Sequence, residues 1–183
     1  MSLIICPGIH DPKLTESFLT GLLSVKVGQK LENILIFPIQ DYPAYSSVHI
    51  LHFLHQNHSV SSPIIFISFS AGVVGAIAAA WSWQLLGGKV TAFIALDGWG
   101  VPLTGNFPIH RLSHDYFTHW SSALLGSGED SFYAAPSVEH LALWREPQTI
   151  SGWALQPSTG KSEPKTQTTA AQFISMLLDK YKM

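Results

Sequence analysis

The chain has 183 residues, 46% of them hydrophobic and only 12% charged, and its formal net charge is −2. Charged residues make up roughly 25% of an ordinary domain, so this composition favours one apolar domain, 1–183, over two. It also offers no basic field to hold nucleic acid phosphates, which argues against a nucleic-acid partner.

Taken in order, residues 2–6 read as a buried strand, stopped by Pro7-Gly8. That apolar run is about four residues, below the roughly seven of a signal-peptide core. Cys6 is the single cysteine, so no internal disulfide forms. Both features lead us to expect a cytoplasmic protein. Leu14, Phe18, Leu19, Leu22 and Leu23 recur at helical spacing and predict a helix over 14–27. A second strand is predicted over 33–37 and a helix over 45–57, with Val48, Leu51, Phe53 and Leu54 facing inward. A third strand follows over 63–68, a helix over 71–86 and a fourth strand over 90–96. Such alternation with short connections means right-handed βαβ units and a parallel sheet.

The second half is less regular. Strands are predicted over 107–112 and 131–134, and a short helix over 116–125. A helix is predicted over 141–155, interrupted by Pro147. A polar surface loop is predicted over 157–168 and an amphipathic closing helix over 170–181. The expected fold is α/β: a three-layer sandwich with a mostly parallel sheet of about five to six strands and helices on both faces. Residues 64–86 are apolar enough to raise a membrane span. The branched start and the interruptions at Ser68, Ser70, Gly72 and Gly75 favour a buried strand followed by a buried helix, so no span is expected.

The informative segment is Ile64-Ile65-Phe66-Ile67-Ser68-Phe69-Ser70-Ala71-Gly72. A buried strand ends at a serine flanked by small residues, and an apolar helix begins at once. This is the setting of a nucleophile elbow, written G-x-S-x-G. Its sharp turn forbids bulky side chains two residues either side of the serine. Gly72 fits, and Ser68 replaces the first glycine. The plainer reading makes Ser70 a helix N-cap.

With this segment in place after two βα units, the chain resembles the α/β-hydrolase superfamily, particularly its small lidless serine hydrolases. The resemblance implies that Pro7-Gly8-Ile9-His10 is the loop carrying an oxyanion donor, with the N–H of Ile9 joining that of Ala71. It implies the order nucleophile, acid, histidine. His140, after the last strand and before a helix, is then the base. Asp115, after the late strand, is the preferred acid, and Asp97, after the fourth strand, is its alternative. Asp97-Gly98 also reads as an ordinary turn pair. Gly8, His10, Phe69 and Trp99 are expected to contact substrate.

Other histidines have rival readings. His110, His114, Asp115 and His119 crowd together as a candidate metal group, but the spacing suits one helix face only roughly, and the resemblance implies a metal-free serine site. His49, His52, His55 and His58 recur every three residues and read as a solvated helix edge. Trp99, Trp120 and Trp144 line an acyl pocket or belong to core and rim.

The expected function is a serine hydrolase acting on an ester or related small-molecule acyl compound, through a Ser-His-Asp triad and an acyl-enzyme, with no cofactor. The alternative is a catalytically inactive binding or interaction protein on the same fold.

Overall fold

Branched apolar runs bounded by proline, glycine and polar residues form the first four strands: β1 (Ser2–Cys6), β2 (Ile34–Ile36), β3 (Ile64–Phe69) and β4 (Val90–Leu96). The computed structural model describes residues 1–25, 33–157 and 165–182. β5 (Ile109–Ser113) and β6 (Ser131–Ala134) continue the sheet. Between these strands lie α1 (Pro12–Val25), α2 (Ser47–Asn57), α3 (Ala71–Leu85) and α4 (Tyr116–Ala123), and α5 (His140–Arg145) follows β6. Strands β7 (Ser151–Leu155) and β8 (Lys165–Thr169) precede the closing helix α6 (Ala170–Lys180).

All eight strands form one mixed sheet, in the order β2-β1-β3-β4-β5-β6-β7-β8. β1 to β6 pair in parallel, while β6–β7 and β7–β8 are antiparallel. The fold is therefore α/β, as expected. The sheet is larger than the five to six strands expected, and it ends in an antiparallel hairpin.

The first extra strand, β7, comes from the segment expected to be helical over 141–155. The helix there stops at Arg145, ahead of Pro147, which cannot continue it. Residues 151–155 then alternate exposed and buried as a strand does. A Cβ at Gly152 would lie 2.1 Å from the Tyr133 carbonyl oxygen, so the close approach of β7 to β6 demands glycine. Gly152 and Ala154 are the inward residues, and such small side chains carry little period-two apolar signal. Lys165–Thr169 pairs with β7 where a loop was expected; residues 158–164 of that loop lie outside the described residues.

Side chains alternate across the sheet into two cores. Leu3, Ile5, Ile65, Ile67 and Phe69 pack with Phe18 of α1, Trp144 of α5 and Phe173 of α6. Ile4, Cys6, Phe66 and Phe93 pack with Ile50 and Leu54 of α2 and with Val73 and Ala76 of α3. One inward position expected on α2 differs: Val48 is 73% exposed, while Ile50, outside the expected set, is fully buried. The 64–86 run is β3 followed by α3. No described helix is long and apolar enough to cross a membrane.

The chain leaves β1 for β2 on one side and returns to place β3 on the other. The loops after β1 and β3 therefore diverge at the carboxyl ends of adjacent strands. Open α/β sheets bind ligands in that crevice.

Candidate active site

Ser70 occupies the turn between β3 and α3 at φ 52° and ψ −123°, a left-handed conformation unusual for a residue with a Cβ. It stands at the N-cap position, yet its hydroxyl makes no cap bond. Its backbone N–H donates to Leu96 O at 2.9 Å. The turn is close-packed from both sides. A Cβ at Gly72 would meet the carbonyl oxygens of Cys6 and Pro7 at 2.3 and 2.4 Å, and one at Gly8 would meet Ser70 Cβ at 3.0 Å. Both glycines let the β1 and β3 loops touch. Ser68 is fully buried and pairs in register with Cys6.

The strained backbone makes a prediction. Ser70→Gly relieves a conformation costing about 1–3 kcal/mol and gives back part of it as chain entropy, for a net gain of about 1 kcal/mol. Urea unfolding of the two proteins checks it. An unchanged or lower midpoint would show that the turn is not under strain.

Ser70 Oγ lies 3.0 Å from His140 Nε2, and His140 Nδ1 lies 2.8 Å from Asp97 Oδ2. His140 opens α5, just past the loop that follows β6. Asp97 follows β4 and has φ 51°, a conformation that aspartate tolerates better than most residues. An ionised carboxylate only accepts, so His140 Nδ1–H donates to Asp97, leaving Nε2 to accept the Ser70 hydroxyl proton. Asp115, the preferred acid of the sequence reading, is not on this line. Its Oδ1 accepts the Thr118 N–H at 2.6 Å and caps α4. Asp97, the alternative, is the carboxylate against His140.

The Asp97 side chain is 1% exposed. Burial pushes its carboxyl up, but hydrogen bonds from His114 and His140 outweigh burial and hold it below the ordinary value. A carboxyl so depressed adds stability that is complete above its unfolded value, about 3.9, and is lost as pH falls through the lower folded value. The urea midpoint therefore drops as pH falls below about 4, and drops less in Asp97→Asn. Equal drops in the two proteins would remove Asp97 as a contributor.

A cleft of about 360 Å³ opens over these groups, lined by Ser70, Ala71, Val74, Asp97, Trp99, Val101, His114, Thr118 and His140. Trp99 is 64% exposed, and its Nε1–H donates to Ser121 Oγ at 3.2 Å, which fixes the indole at the rim. One residue expected at the substrate, Phe69, lies beneath His140. Phe69 is fully buried and stacks under the His140 ring at 4.7 Å, and His10 packs against Phe69 and Trp144. Gly8 touches Ser70, and the neighbouring Ile9 is 74% exposed beside the turn. The Ala71 N–H is at the first helical position, where no intrahelical acceptor exists.

The four residues read as a metal group do not converge. His110 is buried, with Nε2 2.8 Å from the Tyr181 hydroxyl, and His119 packs on Tyr116 and Tyr133. In the site itself, Asp97, His114 and His140 hold ligand atoms within 4.8 Å of one another, the set a metal ion would use. Their N···O separations of 2.8 and 3.0 Å are hydrogen-bond lengths. In the histidine row, His49 bonds Ser46 Oγ, while His55 and His58 rest on Trp83.

Sequence reasoning missed His114 as a residue of this site, along with Val74, Val101 and Thr118. The one available signal for His114 was its place directly after β5, beside the loop that carries Asp97. No protein-family model matches the chain, and no curated protein matches it either.

Proposed function

We propose that the chain is a serine hydrolase of ester or related acyl bonds, built on an α/β-hydrolase-like scaffold. One observation carries this reading: the unbroken line from Ser70 Oγ to His140 Nε2, and from His140 Nδ1 to buried Asp97, beneath an open cleft.

In this reading Ser70 attacks the acyl carbonyl while His140 takes its proton. Asp97 fixes the imidazole tautomer and stabilises the imidazolium. The N–H groups of Ala71 and Ile9 receive the oxyanion, helped by the positive end of α3. His140 then returns the proton to the leaving group, and a water, activated in the same way, hydrolyses the acyl-enzyme. Cleft residues Val74, Trp99 and Val101 favour an uncharged acyl group.

Fluorophosphonate labelling of the purified chain, read by intact mass and peptide mapping, tests the reading. The expected result is one adduct, on Ser70, absent in Ser70→Ala and weakened in His140→Ala. No adduct on folded protein overturns it in favour of a non-catalytic binding protein.

A further inference from the structure

A three-residue relay has no use for a second histidine on its acid, yet His114 is there. Asp97 Oδ2 accepts two ring N–H donors, His140 Nδ1 at 2.8 Å and His114 Nδ1 at 3.0 Å. Asp97 Oδ1 accepts the backbone N–H of His114 at 2.9 Å. The His114 carbonyl in turn accepts the N–H of Val138 at 3.0 Å, two residues ahead of His140. One residue thus grips both oxygens of the acid and the loop that presents the base.

The side-chain torsion that turns an aspartate carboxylate is broad and roughly two-fold, so a carboxylate held at one oxygen pivots. Holding both oxygens removes that freedom. We propose that His114 is a positioning residue of this site, pinning the Asp97 carboxylate plane so that Oδ2 stays aimed at His140 Nδ1. The inference rests on the triad reading above and deepens it.

The surroundings of the His114 ring agree. Three titratable groups face it: Asp97 after β4, Asp115 at the start of α4, and His140 at the start of α5. Its Nε2 lies 3.5 Å from Asp115 Oδ2, so the ring is held between two carboxylates. The hydrogen bond to Asp97 raises its pKa above the ordinary histidine value, favouring the cation and a charge-assisted grip on Asp97. With a side-chain exposure of 24%, against 42% for His140, the ring is the more enclosed of the two.

The test is the kinetics of fluorophosphonate addition to Ser70 in the full chain, resolved into the inactivation rate and the reversible binding constant. His114→Ala and His114→Leu remove the ring donor. Each is expected to slow the inactivation rate about tenfold or more, the range for a hydrogen bond to a charged group, with the binding constant within about twofold. His114→Asn offers a side-chain N–H near the place of Nδ1 and is expected to restore the rate to within about threefold of wild type. A residue that merely supports the fold would not make the rate follow the donor in this way.

Wild-type rates in His114→Ala and His114→Leu overturn the proposal, as does His114→Asn reacting no faster than His114→Leu. If wild type itself takes no adduct, the triad reading fails, and this inference fails with it, before any variant is compared. If the variants do not fold, proton spectra of wild type decide. Two low-field ring N–H resonances, both lost in Asp97→Asn, support the shared carboxylate, and a single one overturns it.

Discussion

Asp97→Asn lowers the rate of Ser70 acylation by about 10³- to 10⁴-fold at neutral pH, and Asp115→Asn changes it by less than about threefold. The contrast follows from where the two carboxylates sit. Asp97 is buried, 2.8 Å from His140 Nδ1, and holds that nitrogen as a donor. An asparagine there presents an amide that can itself donate to Nδ1. The imidazole then adopts the other tautomer, and Nε2 carries a proton where it must accept one. The lost negative charge also leaves the imidazolium unsupported when Ser70 attacks. Asp115 Oδ1 accepts the Thr118 N–H, its Oδ2 faces the outer nitrogen of His114 and not His140, and asparagine caps helices about as well. Labelling rates of both variants, with urea midpoints to confirm folding, measure the contrast. Comparable losses in the two variants would return Asp115 to the relay and sink the assignment of Asp97.

The choice of the carboxylate that meets His140 shows where sequence reasoning runs out. Strand–helix alternation over the first hundred residues is legible because short branched apolar runs alternate with longer helical segments, several of them stopped by a proline or glycine. The S-x-S-x-G segment is legible because a turn this tight tolerates only small flanks. Gly72 proves the point, since its Cβ position is filled by two backbone carbonyls. The partner of His140 is a different kind of fact. Both candidate aspartates follow strands, at the carboxyl ends of β4 and β5, and the choice between them depends on how the loops after those strands pack. A sequence carries no term for that.

His114 was obscured for a related reason. Its role arises because β4 and β5 are neighbours, so that the loops leaving them meet. The Gly-Ala strand β7 was obscured because close packing against β6 selects small residues, whose hydrophobic signal is weak. Its position beside Ser70 in the chain points Phe69 towards substrate. Strand alternation turns it to the opposite side, under His140.

That placement makes Trp144 the residue whose loss reaches furthest. Trp144 is fully buried and stacks on Phe18 of α1 at 3.8 Å with the ring planes 6° apart. Its other face meets Phe69 at 5.0 Å and 13°, and Phe69 meets His140 at 4.7 Å and 21°. Trp144 Nε1–H also donates to Thr15 Oγ1 at 3.3 Å. A column of rings therefore runs from α1 to His140, and Trp144 is its largest member. Trp144→Ala is expected to cost about 3–5 kcal/mol, the lost transfer energy plus the cavity left between α1, α5 and the sheet. Phe69 then loses its floor, and the His140 ring loses the plane that holds it level with Ser70. Misplacing a catalytic group by about 1 Å costs up to about a hundredfold, so the labelling rate should fall about ten- to a hundredfold in the fraction that remains folded. Trp144→Phe keeps a flat ring in the column and should lose less on both counts. Urea unfolding and labelling of the same samples measure the two effects together. A Trp144→Ala protein that is destabilised but labels at the wild-type rate would show that His140 is held by its hydrogen bonds alone. The ring column would then belong to the core and have no part in the chemistry.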